Sequence, residues 1–303
     1  MIDFKDYLAQ TNSLRTSLTD TASIITGTVE GLYYRLYRQS EEPVEVVVIY
    51  HGGGVSGDAG YDILARQLCE YGSVAVCLVD IRGHGYSTGE RGTVERPACV
   101  WRDVDRLLAE MRRLFPNARR HLLGHSSGAG MLLNYFTLYP FTERADSLVL
   151  LAPELGPFSG TAKKTTWPFA RVRQWPFVVN ALSGGRLVGQ RRAVSLHFPD
   201  ALAEPPAGLV RHYSVNMANA LTPRHPGRQL AALPIATLIL AAAQDEIISP
   251  HALGELVSRA ENARLAFQSI EQASHLACIF VAHPFIHHFL MNIKPAAKGL
   301  ARD

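Results

Sequence analysis

Residues 124–128 read Gly-His-Ser-Ser-Gly, between an apolar run, HLLGH, and a helix-like one, SGAGMLLNYF. A serine that only turned the chain would not need a glycine two positions away on each side. Glycines are needed there when the chain doubles back so tightly that a Cβ would clash. The pattern is typical of a sharp turn from a strand into a helix, with the side chain of Ser126 exposed at its apex. A chain with such a turn is expected to contain an α/β unit.

Apolar runs typical of buried strands alternate with helical patterns along most of the chain. The strand-like runs cover residues 44–50, 73–80, 120–125, 146–152, 234–243 and 264–270, after two shorter strands joined near Gly31. The helical patterns cover residues 61–72, 99–116, 127–140 and 249–260. Continuous β-branched runs are expected of strands covered on both faces. The alternation therefore predicts an α/β protein with a mostly parallel central sheet flanked by helices.

The alternation stops after residue 152 and resumes near residue 231. The stretch between, residues 153–230, is rich in proline and aromatic residues and includes the segments HFPD, AEPPAG and TPRHPG. An insertion after one strand of an otherwise regular pattern is expected to lie over the edge of the sheet. We predict a helical cap at residues 153–230 over a core formed by residues 1–152 and 231–303.

Ser126 needs a base if it acts as a nucleophile, because a serine hydroxyl is a poor nucleophile at neutral pH. His275 is the best candidate, since the sequence RLAFQSIEQASH places it in a loop just after the last predicted strand. The other late histidines fall at the start of a helix or inside one: His251, His283, His287 and His288. A carboxylate is needed to orient the base. Asp245 is the first acidic residue after the strand-like run 234–243, and Glu246 is its rival.

The segment HGGG at residues 51–54 follows directly on a predicted strand. A loop at this place can direct backbone N–H groups at the negative charge that develops on a carbonyl oxygen during acyl transfer. Lipase- and esterase-type sites combine such a loop amide with the amide of the residue after the nucleophile. One oxyanion donor is therefore predicted at Ser127 and the other at Gly52 or Gly53, between which the sequence does not choose.

Several stretches together resemble the α/β-hydrolase superfamily. They are YHGGGVSGDAGYDILARQLCEYG, VDIRGHGYSTGERG, LLGHSSGAG, the strand that ends at Asp245, and ASH at residues 273–275. Within the superfamily the chain is most similar to the group of monoacylglycerol lipases, lysophospholipases and serine aminopeptidases, over roughly residues 22–290. The resemblance implies an α/β-hydrolase fold whose catalytic residues follow the chain order serine, acid, histidine.

The resemblance also bears on two loops. In that group the Arg-Gly-His-Gly loop usually organises the entrance of the site, so Arg82 and His84 are expected to be structural. Many members carry His-Gly followed by a bulky residue in the first loop, where this chain has three glycines. This departure would widen the acyl pocket or shift it toward the esterase type.

Together these residues predict a serine hydrolase that cleaves a small-molecule carboxylic ester through an acyl-enzyme, with no metal or organic cofactor. Trp167, Trp175 and Phe177 are candidates for lining an apolar acyl-binding cleft, and the alternative is that they form the small core of the cap. A thioesterase, an amidase or a C–C bond hydrolase would use the same triad. Some proteins of this fold bind small molecules without catalysis.

Composition narrows the remaining function classes. Lys and Arg number 30 against 27 Asp and Glu, a net charge of +3, which gives no reason to expect a nucleic acid or an anionic membrane as partner. The four cysteines form no CxxC pair, as expected of reduced thiols in a cytoplasmic protein. No secretory signal pattern begins the sequence, and no apolar run approaches the roughly 18 residues of a membrane span.

Overall fold

The structure is a computed structural model that describes residues 2–18, 21–164, 168–199 and 207–293. Its strands are β1 (Ser23–Val29), β2 (Leu32–Arg38), β3 (Glu45–Tyr50), β4 (Val74–Val79), β5 (Arg119–His125), β6 (Ser147–Leu151), β7 (Ala170–Val172), β8 (Arg192–Leu196), β9 (His212–Ser214), β10 (Thr237–Ala242) and β11 (Leu265–Ile270). Its helices are α1 (Phe4–Ser17), α2 (Tyr61–Cys69), α3 (Pro97–Leu114), α4 (Ser127–Leu138), α5 (Gln174–Leu182), α6 (Val215–Leu221), α7 (Pro226–Ala231), α8 (Pro250–Arg259), α9 (Cys278–Val281) and α10 (His283–Asn292).

The main sheet has eight strands in the order β1-β2-β4-β3-β5-β6-β10-β11. The six strands from β4 to β11 in this order are parallel to their neighbours, whereas β1 and β2 form an antiparallel hairpin at one edge. Every residue of β3, β4, β6 and β10 is buried, because helices cover both faces of the sheet. The predicted α/β architecture with a mostly parallel central sheet is confirmed.

The core is divided by the sheet into two layers. Side chains alternate between the faces of a strand, so Val46 and Val48 pack in one apolar cluster and Val47 and Ile49 pack in the other. Helix α3 covers the first layer with an apolar stripe at helical spacing, as its sequence predicts. Among the described residues, no helix is both long and apolar enough to cross a bilayer.

The N-terminal segment forms helix α1, which the sequence analysis did not predict. Its sequence, FKDYLAQTNSLRTS, is polar, and only Tyr7 and Thr11 are fully buried in it. Asp3 caps the helix by accepting the N–H of Asp6. Most helical stability in proteins comes from tertiary packing and not from propensity. A search for apolar residues at helical spacing therefore does not detect α1.

The segment between β6 and β10 contains helices α5, α6 and α7 and a small antiparallel sheet of β7, β8 and β9. Helix α6 packs against α3 and α4 of the main unit, and α5 packs against α6 and β8. The predicted cap insertion therefore includes strands as well as the expected helices. Trp167, one of the residues predicted to bind substrate there, lies outside the described residues.

Candidate active site

The turn at Ser126 joins the last residue of β5 to the first residue of α4. Ser126 has φ 53° and ψ −118°, a conformation that costs energy for a residue with a side chain. A Cβ on Gly124 would lie 2.5 Å from the carbonyl carbon of Gly128, and one on Gly128 would lie 2.5 Å from the carbonyl oxygen of His51. Backbone thus approaches backbone too closely for any other residue at either glycine. Ser126 itself remains partly exposed.

Ser126, His275 and Asp245 form one chain of hydrogen bonds. Nε2 of His275 lies 3.0 Å from Oγ of Ser126, and Nδ1 of His275 lies 2.7 Å from Oδ2 of Asp245. A carboxylate oxygen only accepts, so in the neutral imidazole Nδ1 carries the proton and Nε2 can accept the proton of Ser126. The three residues follow the carboxyl ends of β5, β10 and β11, where parallel strands bring their loops together.

The two adjacent acids after β10 make different contacts. Oδ1 of Asp245 accepts the N–H groups of Ile247 and Ile248, both at 2.8 Å. Burial would raise the pKa of the Asp245 carboxyl, but the hydrogen bonds from His275 and these amides outweigh it and hold the pKa below its usual value. Glu246 instead accepts the backbone N–H of His275 at 2.9 Å. Asp245 therefore contacts the imidazole, and Glu246 holds the main chain beside it.

The other late histidines make contacts elsewhere. His251 is exposed in the first turn of α8. His283 and His287 contact Tyr71, the first through the tyrosine hydroxyl and the second by stacking on its ring. His288 is near the end of α10, where Asn292 contacts it. His275 is the one of these five histidines whose ring contacts Ser126 in the described part of the chain.

The HGGG loop is held by a tyrosine on each side of Gly53. The N–H of Gly52 donates to Oη of Tyr61 at 2.7 Å, and the N–H of Gly54 donates to Oη of Tyr213 at 2.6 Å. Within the described ranges no acceptor lies within hydrogen-bond distance of the N–H of Gly53. Of the two amides that the sequence left open, Gly52 is already engaged and Gly53 is available.

Gly53 and Ser127 adjoin each other beside Ser126. A Cβ on Gly53 would lie 3.3 Å from Oγ of Ser127, and one on Gly52 would lie 3.4 Å from Cβ of Ser126. Ser127 is the first residue of α4, so its N–H has no carbonyl acceptor within the helix. The positive end of the helix dipole adds to the attraction for negative charge at this place.

The hydroxyl of each of these two tyrosines also contacts a buried histidine. Tyr61 Oη lies 2.7 Å from Nδ1 of His125, and Nε2 of His125 donates to the carbonyl oxygen of His275 at 3.0 Å. Tyr213 Oη lies 2.8 Å from Nε2 of His84. Burial, reinforced by a neighbouring histidine, lowers the pKa of both His84 and His125 to about 3. Both imidazoles are therefore neutral near pH 7, and each can accept a hydrogen bond from the tyrosine hydroxyl.

Arg82 and His84, which the sequence analysis expects to be structural, both contact other side chains. The Arg82 guanidinium makes a two-pronged pair with Asp103, at 2.6 and 2.7 Å.

The sequence analysis did not identify Tyr61 or Tyr213 as site residues. Gly54 and Tyr213 are 159 positions apart, so no local pattern could have linked them.

A cavity of about 690 Å³ lies in front of Ser126. Ser126, Gly52, Gly53 and His275 form its polar floor. The surrounding wall includes apolar side chains from the first loop, the cap and the C-terminal part of the chain: Val55, Phe169, Phe198, Leu209, Ile247, Leu276 and Ile279. Its volume is in the range of small-molecule sites, and it can hold an apolar group next to the Ser126 hydroxyl.

Trp175 and Phe177, predicted to line the substrate cleft, do not line this cavity in the described residues. Trp175 is 49% exposed on α5, and the guanidinium of Arg191 lies 4.7 Å above its ring. Phe177 packs against the apolar layer on the α3 side of the sheet. Among the described aromatic residues of the cap, Phe169 and Phe198 line the cavity; Phe169 directly precedes β7, and Phe198 follows β8 by two residues.

Comparison with known proteins gives a family match over most of the chain. The model of the family described as serine aminopeptidase, S33, matches residues 41–279. Human monoglyceride lipase is 24% identical over 262 residues, which cover 85% of this chain and 84% of that protein.

Solved structures share the fold at low sequence identity. A soluble variant of Saccharomyces cerevisiae monoglyceride lipase, in complex with a substrate analogue, has a TM-score of 0.65 at 14% identity and covers 92% of this chain and 97% of that one. Paleococcus ferrophilus monoacylglycerol lipase has a TM-score of 0.61 at 19% identity, covering 87% of this chain and 99% of that one. Likeness at this identity establishes the fold.

Proposed function

The chain belongs to the serine aminopeptidase S33 family and is an α/β-fold serine hydrolase, and on this premise we propose that it cleaves carboxylic esters with an apolar acyl group. One observation carries the proposal: Oγ of Ser126 lies 3.0 Å from Nε2 of His275, on the floor of a largely apolar cavity. The names of its relatives, monoglyceride lipases among them, support a lipase-like esterase.

Acylation begins when Oγ of Ser126 attacks the carbonyl carbon of the ester. Nε2 of His275 takes the hydroxyl proton, and the carboxylate of Asp245 stabilises the imidazolium through Nδ1–H. The tetrahedral intermediate then collapses as the imidazolium gives its proton to the oxygen of the leaving alcohol. The bond to that oxygen breaks, and the acyl group remains on Ser126.

The oxyanion of the intermediate would accept hydrogen bonds from the N–H groups of Gly53 and Ser127. Neither amide donates to an acceptor among the described residues and both adjoin Ser126, so they need no rearrangement when charge develops. Tyr61 and Tyr213 would hold the loop by engaging the amides on either side of Gly53. Loss of one such donor typically costs roughly 10²- to 10³-fold in kcat.

Deacylation repeats these steps with water in place of the alcohol. Nε2 of His275 removes a proton from the water as its oxygen attacks the acyl carbonyl. The second tetrahedral intermediate collapses as the imidazolium of His275 gives this proton to Oγ of Ser126. The bond between Oγ and the acyl carbon breaks, and the carboxylic acid is released. The ester and one water molecule are the only reactants that the two half-reactions need in order to balance.

The apolar character of the cavity wall supports an apolar acyl group as the part of the substrate that is buried. Burial of apolar surface is favourable by about 25 cal/mol per Å². The rings of Phe169 and Phe198 are part of this wall. An ester with an alkyl acyl group gains binding energy there, whereas a short acyl group gains little.

Labelling with a fluorophosphonate probe tests the nucleophile directly. We expect an adduct on Ser126, located by mass spectrometry, and no adduct at this place in Ser126→Ala. Rates on an ester, a thioester and an anilide of the same acyl group then test the bond type, with the ester expected to be hydrolysed fastest among substrates of matched leaving-group acidity. A folded wild-type protein that takes no label on Ser126 would contradict the proposal.

A further inference from the structure

Helix α1 forms a wall of the cavity in front of Ser126, although it lies before the residues that match the family. Five of its residues line the cavity, at positions i, i+3, i+4, i+7 and i+11 of the helix: Phe4, Tyr7, Leu8, Thr11 and Arg15. This spacing is one face of a helix. The family match begins at residue 41, so this wall lies outside the matched residues.

Three sets of contacts attach α1 to the loop before α2, to α2 and to α9. The hydroxyl of Tyr7 donates to the carbonyl oxygen of Ala59 at 2.6 Å, and the Tyr7 ring stacks on Phe280 with centroids 5.0 Å apart. At the other end of the helix, the guanidinium of Arg15 donates to both carboxylate oxygens of Asp62, at 2.7 and 2.9 Å. Burial of Tyr7 and the two-pronged ion pair fix the face that α1 turns toward the site.

Phe4 joins α1 to the cap across the top of the cavity. Its ring centroid lies 6.2 Å from that of Phe169 and 6.0 Å from that of Phe198. Phe169 and Phe198 are themselves perpendicular at 5.1 Å. The three rings lie at distances typical of attractive aromatic contacts. They close one end of the cavity between a helix of the N-terminal segment and strands of the cap.

The character of the wall changes along α1. Phe4 and Leu8 are apolar, and Leu8 is 38% exposed although it faces the cavity, which leaves apolar surface for a ligand to cover. Arg15 lies eleven residues beyond Phe4, about 16 Å along the helix axis, and there the cavity is lined by its pair with Asp62 and by Arg35 paired with Asp58. The cavity is thus apolar toward the cap and charged toward the opposite end.

We propose that α1 determines acyl-chain specificity, with Phe4 and Leu8 forming the surface against which an unbranched alkyl acyl chain lies. This inference rests on the proposed esterase function for its physiological meaning. The acyl chain extends from Ser126 toward the cap, because burial of methylene groups against apolar surface is favourable and their transfer toward the ion pairs is not. Leu8 is the specificity-determining residue, since it is apolar, lines the cavity and is exposed there.

Binding of dodecanoate, the acid of a twelve-carbon acyl chain, tests the wall without relying on catalysis. Three proteins are compared by calorimetry in the Ser126→Ala background: the unaltered wall, Leu8→Trp, and Ala9→Trp. Ala9 is the next residue of α1, exposed and not part of the cavity lining, so Ala9→Trp introduces the same side chain on the same helix outside the cavity. Circular dichroism verifies that α1 is retained.

We expect Leu8→Trp to weaken dodecanoate binding at least about tenfold, the scale on which apolar pockets discriminate, and Ala9→Trp to leave it unaltered. With Ser126 restored, the ratio of kcat/KM on p-nitrophenyl dodecanoate to that on the acetate falls by a similar factor in Leu8→Trp. Equal dodecanoate affinity in all three proteins would overturn the role of α1. Leu8-dependent binding in a protein that hydrolyses no ester would support the wall and overturn the esterase function instead.

Discussion

Two chains of serine, histidine and carboxylate lie at opposite ends of the same sheet. At the carboxyl ends of the strands, Ser126 contacts His275, which contacts Asp245. At the amino ends, Oγ of Ser147 lies 2.8 Å from Nδ1 of His121, whose Nε2 lies 2.7 Å from a carboxylate oxygen of Glu45. The same three chemical groups are therefore present twice, at similar distances.

The two serines differ in their surroundings. Ser147, His121 and Glu45 are all 0% exposed, and Ser147 begins the regular strand β6. Ser126 instead stands at a strained turn, adjoins two unengaged amides and opens into a cavity. A histidine between a serine and a carboxylate is thus not sufficient for a nucleophile. Substrate access and donors for the oxyanion separate a candidate catalytic site from a buried polar network.

Removing each serine in turn is the sharpest test of this difference and has the largest expected effect. Ser126→Ala should lower kcat/KM on p-nitrophenyl butyrate by about 10⁴-fold or more, because the groups of a triad act as a unit. Ser147→Ala should leave the rate within about twofold and lower the free energy of unfolding by about 1 kcal/mol, the net value of a hydrogen bond. Comparable losses of activity in the two variants would contradict the separation of roles.

The two acids beside the candidate catalytic histidine allow a second test. Asp245→Asn should lower kcat by roughly 10³- to 10⁴-fold, because an amide no longer stabilises the imidazolium or selects its tautomer. Glu246→Gln should cost about tenfold or less, since the Gln carbonyl oxygen can still accept the N–H of His275. Steady-state rates on one ester measure both, and a larger loss in Glu246→Gln would reverse the assignment.

Tyr213→Phe tests whether the cap helps to position the oxyanion loop. Loss of the hydroxyl leaves the N–H of Gly54 and Nε2 of His84 without a partner, so the loop shifts and kcat should fall about 10- to 100-fold with little change in KM. Affinity for a trifluoromethyl ketone, whose adduct carries an oxyanion, should fall in parallel. Tyr139→Phe removes a hydroxyl outside the cavity lining as a control. Unchanged ketone affinity in Tyr213→Phe would exclude a role in positioning the loop.

Glu45→Gln should have the smallest effect on catalysis and act on stability instead. Burial would raise the pKa of Glu45, but hydrogen bonds from His121 and Arg119 outweigh it and hold the pKa below its usual value. The carboxylate therefore stabilises the fold above its unfolded-state pKa, and this stabilisation is lost as the pH falls through the lower, folded-state pKa. Glu45→Gln leaves Arg119 without its charged partner. The free energy of unfolding at pH 7 should therefore be lower by about 3 kcal/mol in the variant.

Urea titrations across pH measure this contribution. The difference in free energy of unfolding between wild type and Glu45→Gln should be full near neutral pH and should shrink below about pH 4. Esterase rates of the folded variant at pH 7 should stay within about twofold of wild type. A difference that stays constant from pH 7 to pH 3 would exclude the charge of Glu45 as its origin.

Local signals in the sequence were sufficient for the sheet, its flanking helices and the turn at Ser126. Buried parallel strands are long apolar runs. Glycine is needed at positions 124 and 128 because a Cβ at either would lie 2.5 Å from backbone atoms. His275 and Asp245 could be selected because each follows a predicted strand, and loops after parallel strands gather at one edge. Their roles in catalysis remain predictions that the variants above test.

Contacts between distant parts of the chain decided the rest. The availability of the Gly53 amide depends on Tyr61 and on Tyr213, whose hydroxyl meets a glycine 159 positions away. Helix α1 has too little apolar surface to be recognised alone and is ordered by packing on the main unit. The aromatic residues of the cap could not be sorted from sequence, because a ring in a small core and a ring in a cleft satisfy the same local pattern. Residue types and strand order are properties of the sequence, whereas the choice of amide and the cavity wall arise only when the folded chain brings separate segments together.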